Sequence, residues 1–212
     1  MIDKLIEIDQ SWLLAINGAH CGVMDQVMWY ISQAWVWIPL YVVLIGLLIW
    51  RFGWKWGLVY TVALVAAVGL SDWISSGVIK HLVCRPRPTH EPALEGLVHV
   101  VNGYVGGAYG FVSSHAANTA SLAVLFAMIS RKSKVESRKT ECVFWIVYTI
   151  LALYVIVNCY SRMYLGVHYP GDILGGLLVG TVMAFVVYGL LNLVWRVRKS
   201  HADGGDDRPC CS

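Results

Sequence analysis

The chain has 212 residues, of which 58% are hydrophobic and 14% charged, and its mean hydropathy is +0.61. Soluble domains carry about 25% charged and about 45–50% apolar residues, so a water-soluble globule is excluded and the surplus apolar surface requires a bilayer. The formal net charge is only +3, and the basic residues form no stripe interleaved with aromatic side chains, which argues against nucleic-acid binding.

In chain order, residues 3–17 come first. Leu5, Ile8, Trp12 and Ile16 recur at helical spacing, with Lys4, Glu7 and Ser11 on another face. That pattern predicts a short amphipathic helix lying in the membrane interface. No basic stretch followed by a cleavage site precedes it, so no signal peptide is expected.

Five apolar segments follow, near residues 27–50, 56–80, 113–130, 142–160 and 171–195. Crossing a hydrocarbon core about 30 Å thick takes roughly 20 helical residues. Within lipid the backbone must satisfy its own hydrogen bonds, so all five are expected to be helices. The third is the shortest and the most polar at its start. The sequence thus predicts an all-α polytopic membrane helix bundle of six helices, five spans plus the N-terminal interfacial one. Residues 1–199 form a single membrane-embedded domain, and the polar stretch 200–212 is expected to be a disordered tail.

Lys and Arg fix the expected orientation. With five spans, one side holds Lys4, Lys80, Arg85, Arg87 and Arg162. The other holds Arg51 and Lys55, five basic residues within 131–139, and four from Arg196 onward. Positive loops stay in the cytoplasm, so the 81–112 and 161–170 loops are expected outside. Six cysteines are present, at 21, 84, 142, 159, 210 and 211, without Cys-x-x-Cys or zinc-site spacing. The terminal Cys210-Cys211 pair completes no lipidation motif.

The outside face collects ionisable residues from separate parts of the chain. Lys80 ends the second span, Arg87 follows in Cys84-Arg-Pro-Arg-Pro, and Ser113, Ser114 and His115 open the third. Arg162 closes the fourth span, while His168 and Asp172 open the fifth. Ionisable groups at the membrane are costly and mark functional sites. Singly, each has a duller explanation, such as snorkelling for Lys80 and Arg162 or helix capping for Ser113. Those explanations predict no shared location and no shared ligand.

The residue types point to phosphate. Arg forks match phosphate oxygens and Lys adds a point charge. Ser113 and the amides of Ser114 and His115 stand where a helix begins, itself an anion site. Two histidines can divide nucleophilic attack and proton donation. Asp172, four residues after His168, can hold one ring nitrogen and leave the other free. The cations already offset developing negative charge, so no metal or other cofactor is expected.

The pattern Lys80-x6-Arg87-Pro88, then Ser113-Ser114-His115, then Ser161-Arg162-x5-His168-x3-Asp172 resembles the three-part signature of the type 2 phosphatidic acid phosphatase family. Its first and third parts match fully. The second departs, because Val112 and Ser114 replace the usual Pro and Gly of Pro-Ser-Gly-His. The run Gly106 to His115 looks like a variant found in bacterial membrane members. The resemblance implies that His168 is the nucleophile forming a phosphohistidine, Asp172 orients it and His115 is the general acid. It also implies that Lys80, Arg87, Ser113, Ser114 and Arg162 bind the phosphoryl oxygens.

The expected activity is hydrolysis of a membrane lipid phosphate at the outer face of a bacterial cytoplasmic membrane. Undecaprenyl pyrophosphate and lipid A are the first candidates, with phosphatidylglycerol phosphate and phosphatidic acid next. The alternative is a non-hydrolytic lipid-phosphate binding or transport protein, which needs the cations but no working pair of histidines. The Gly-rich loop 89–112, with Tyr104 and Tyr109, is expected to shape head-group access, and Gly171, Gly175, Gly176 and Gly180 give small-xxx-small spacing for close helix packing. Asp72 is expected to pair with Lys80 or with a polar group in the third span. No oligomeric state follows from the sequence.

Overall fold

The structure, a computed structural model, describes residues 2–132 and 138–203. Most of the expected 200–212 tail, the Cys210-Cys211 pair included, and the middle of the basic 131–139 loop lie outside the described residues. All regular elements among the described residues are helical. Among the described residues three helices are long and apolar enough to cross a membrane, at Ala34–Val83, Thr140–Tyr164 and Pro170–Arg196, with mean hydropathies of 1.9, 2.2 and 2.2.

Helix α1 (Ile2–Gly18) and helix α2 (Gly22–Ile31) pack at one end of the bundle. Leu5, Ile8 and Trp12 of the α1 apolar stripe are exposed. The face docked on the protein carries Asp9, Leu13 and Asn17, where Leu13 meets Leu94 and Tyr169, and Asn17 donates to the carbonyls of His99 and Tyr164.

The expected start of the first span near residue 27 is corrected: residues 27–31 belong to α2. The chain breaks at Ser32 and Gln33, makes a 3-10 turn at Ala34–Trp37, and enters α3 (Ile38–Asp72). Gln33 is extended, and Pro39 has no N–H to give to a helix interior, so it fits only a first turn. At Gly53 the backbone leaves helical geometry (φ 74°, ψ 165°), a region that favours glycine. A Cβ on Gly57 would stand 2.6 Å from the Ile49 Cα, and the Phe52 and Tyr60 rings lie 4.8 Å apart. The chain therefore doubles back, and α3 holds two of the expected segments as antiparallel arms. Its second arm runs through a π-helical stretch (Trp73–Ile79) into the short α4 (Lys80–Val83).

Helix α5 (Ser114–Ser130) is the central element, packed against α3, α6 (Arg138–Tyr164) and α7 (Pro170–Asp203). Leu125, Phe126 and Ile129 of α5 are fully buried with Leu44, Leu48, Leu64, Leu151 and Ala184. Neighbours enclose α5, so it has less need of a lipid-facing apolar surface, and its 17 residues include buried Thr119, Ser121 and Ser130. Lipid-type side chains instead cover the outer faces, among them Val62, Val65, Ile146, Ile156, Leu174 and Phe185. The expected glycine contacts form on the inner face of α7, since a Cβ at Gly175, Gly176 or Gly180 would collide with Val112, Ser113 or Ala117.

Candidate active site

The chain termini of four helices converge on one polar pocket. Helix α7 begins with Tyr169 in the N-cap position and Pro170 at N1. The Asp172 carboxylate at N3 accepts the Tyr169 N–H through Oδ2 at 3.0 Å, a capping-box geometry that fixes the carboxylate. The same oxygen lies 3.4 Å from His168 Nδ1, directing the opposite ring nitrogen, Nε2, away from the carboxylate. Asp172 and His168 are 0% and 1% exposed.

Helix α5 begins where Ser113 Oγ accepts the Ala116 N–H at 3.5 Å, so the capping role weighed for Ser113 is realised. The first intrahelical bond runs from Ala117 N to Ser113 O at 3.0 Å, leaving the Ser114 and His115 amides ahead of it. Ser113 N donates to the Asp172 backbone carbonyl at 3.0 Å, which ties the start of α5 to the first turn of α7. Lys80 Nζ donates to Ser114 Oγ at 3.1 Å, joining the end of the α3 arm to the same place. Asp72 pairs with the third expected span rather than with Lys80, accepting from Asn118 Nδ2 at 3.2 Å.

Arg87 and Arg162 complete the cationic wall. Arg87 Nε donates to the Tyr109 carbonyl at 3.0 Å, and Arg162 Nη2 donates to the Tyr104 hydroxyl at 2.9 Å. The 89–112 loop thus holds both guanidinium groups. Arg87 Nη1 and Arg162 Nε are buried donors without a protein partner. Buried donors of this kind require an acceptor, and an oxyanion is the natural one. Gly106 and Gly110 let the loop close, because a Cβ at either would stand 2.6 Å from Arg87 Nη1 or 2.8 Å from Asp172 Oδ2.

All eight expected site residues are therefore brought together, Lys80, Arg87, Ser113, Ser114, His115, Arg162, His168 and Asp172. His168 feels Arg87, Arg162 and Lys80, and its ring reaches the Gly110 backbone. His115 lies near enough for Arg162, His168 and Lys80 to act on it, and its ring reaches the Ser32 backbone. Burial first, and then the three cations, push the His168 imidazole well below its ordinary value, so it stays neutral with a free lone pair. Burial alone would raise the Tyr104 phenol, but the Arg162 charge and hydrogen bond pull it down.

Two residues were missed in the sequence. Arg85 donates through Nη1 to Asp172 Oδ1 at 3.0 Å and through Nη2 to Asp9 Oδ2 at 2.7 Å. Arg85 stood in view in the Arg-Pro-Arg-Pro run, whereas Asp9 lay at the edge of the α1 apolar stripe, beside Ile16 on the helix surface.

The model of the PAP2 superfamily matches residues 54–196, which include every one of these eight residues. The chain belongs to the PAP2 superfamily. Across 189 residues, 89% of this chain and 79% of the relative, it is 34% identical to the lipid A 4'-phosphatase of Bacteroides thetaiotaomicron. It is 30% identical over 187 residues, 88% of this chain and 74% of the relative, to the lipid A 4'-phosphatase of Porphyromonas gingivalis. Its fold is similar to the crystal structure of a transmembrane PAP2 type phosphatidylglycerolphosphate phosphatase from Bacillus subtilis. That likeness has a TM-score of 0.66 at 23% identity and covers 90% of this chain and 88% of the other. Membership of the PAP2 superfamily makes this chain a membrane-associated phosphate-ester hydrolase.

Proposed function

We propose that this PAP2 member removes a phosphate from a membrane lipid at the outer face of a bacterial cytoplasmic membrane, with lipid A as the first substrate. The observation that carries this reading is the pair of buried, partnerless donors on Arg87 and Arg162, set around a neutral His168 already gripped by Asp172. A cavity of about 470 Å³ supports a lipid substrate, because its wall runs from His115 past Trp37, Leu44, Leu64 and Leu122. A phosphate in the polar pocket would thus stand beside a space fit for an apolar chain.

In the proposed sequence, Lys80, Arg87, Arg162 and the Ser113–His115 turn bind the phosphoryl oxygens. His168 Nε2 attacks phosphorus while His115 gives its proton to the departing lipid oxygen, forming a phosphohistidine and a free lipid alcohol. His115 then takes a proton from water, whose oxygen attacks phosphorus, so that inorganic phosphate leaves and His168 is restored. Asp172 keeps Nδ1 engaged throughout. No step requires a metal. The reading takes five crossings, two of them the arms of α3 and one the buried α5, with the pocket outside and the basic 131–139 loop in the cytoplasm, an orientation that the Lys and Arg bias supports.

The test is phosphate release in detergent from lipid A, undecaprenyl pyrophosphate, phosphatidylglycerol phosphate and phosphatidic acid. Lipid A should be cleaved fastest. His115→Ala should lower kcat by about 10²–10⁴-fold, the range for a general acid, and His168→Ala should abolish turnover. Undiminished release by either variant would sink the mechanism, and lipid binding without release by the unaltered chain would favour a non-hydrolytic carrier.

A further inference from the structure

Building on the hydrolase reading, we propose that Asp9 and Arg85 form a two-residue brace that positions Asp172, and through it His168, making α1 part of the reaction apparatus. The two Asp172 oxygens have separate tasks. Oδ2 takes the Tyr169 N–H and His168 Nδ1, while Oδ1 takes Arg85 Nη1. Without Arg85 the carboxylate could rotate about its side-chain bond, and the 3.4 Å contact to His168 is the one with least to hold it.

Arg85 is itself fixed from two sides. Asp9 accepts its Nη2 at 2.7 Å, and its guanidinium lies 4.0 Å above the Tyr169 ring. Asp9 also accepts the Gly171 N–H through Oδ1 at 2.7 Å, so one carboxylate caps the first turn of α7 and anchors the arginine aimed at that turn. Gly171 has no side chain to obstruct this, since a Cβ there would stand 2.9 Å from Asp9 Oδ2. Asp9 and Arg85 are 13% and 24% exposed, so the brace lies at the pocket rim and leaves the phosphate donors of Arg87 and Arg162 to the substrate. Its fork geometry demands Arg, because a lysine ammonium has no second planar arm to span two carboxylates.

The experiment uses the purified full chain in detergent and the fastest-cleaved lipid of the four named above, with inorganic phosphate as competitive inhibitor. Asp9→Asn keeps an oxygen for the Gly171 amide but removes the charge that holds Arg85. Arg85→Gln removes the link to Asp172. Each should lower kcat about tenfold to hundredfold, the scale of a small misplacement of a reacting group, with KM and the phosphate inhibition constant changed less than about twofold. Asp9→Asn with Arg85→Gln should be no slower than the slower single variant, because both act through one chain of contacts. Arg85→Lys, which serves if Arg85→Gln does not fold, should also lose kcat at constant KM.

Wild-type kcat in Asp9→Asn, or effects that multiply in the double variant, would overturn the brace. A weaker phosphate inhibition constant with kcat intact would overturn it too, by making Arg85 a phosphate ligand. An unaltered chain that releases no phosphate from any of the lipids would instead overturn the hydrolase reading, and the brace with it.

Discussion

His168 is buried among three cations that oppose its protonation, while the Asp172 carboxylate stands at its Nδ1. Its imidazole is 1% exposed, and Arg87, Arg162 and Lys80 surround it. Its value in the folded chain therefore lies below that in the unfolded chain. As pH falls below about 6.5, the unfolded chain takes up this proton first, and stability is lost down to the folded value. The thermal midpoint of the wild type, followed by tryptophan fluorescence in phosphate-free buffer, should drop between about pH 7.5 and about pH 5.5 more than that of His168→Asn. Equal drops would show that His168 is not held neutral. The eight residues of the candidate site were legible one by one because residue type and spacing are read along the chain. Their partners were not, as Arg162 shows: its hydroxyl partner on Tyr104 lies 58 residues away.

At the scale of elements, the contact between α5 and α7 decides whether the pocket exists. A Cβ on Gly180 would run into the Ala117 carbonyl and stand 2.8 Å from its carbonyl carbon, and backbone cannot swing aside as a side chain does. The same contact brings Ser113 N to the Asp172 carbonyl. Gly180→Val should therefore cost at least about 1–3 kcal/mol, the range for overpacking, and lower the thermal midpoint and activity together. Gly189→Ala, with nothing within 4 Å, should leave both intact. If Gly180→Val matches Gly189→Ala in both measurements, the helices are not pressed together there. The small-residue spacing on α7 was visible in the sequence, and the basic pair Arg51 and Lys55 marked the turn that the structure centres on Gly53. The break between α2 and α3 was hidden because only the polar pair Ser32-Gln33 marks it within a long apolar run.

Across the whole molecule, the pocket lies at the start of α5 and the end of α6, opposite the other ends of these two helices. Two single-cysteine variants test the proposed orientation, one keeping exposed Cys84 beside the pocket and one keeping exposed Cys142 near the start of α6. In intact spheroplasts a membrane-impermeant maleimide should label the Cys84 variant, and the Cys142 variant only after lysis. The reverse pattern would turn the chain over and put the pocket in the cytoplasm.

The sequence by itself determined the solvent, the helical class, and the order and residue types of the candidate site. Hydropathy, charge bias and motif spacing are properties of neighbouring residues, and lipid leaves the backbone few alternatives to a helix. Only the tertiary structure decided which face of α1 meets the protein, that α5 lies at the centre, and that Asp9 and Arg85 stand behind Asp172. Those contacts join residues 76 and 87 positions apart. Such pairings are chosen by which helices dock and at what rotation, a competition among surfaces that no local pattern encodes.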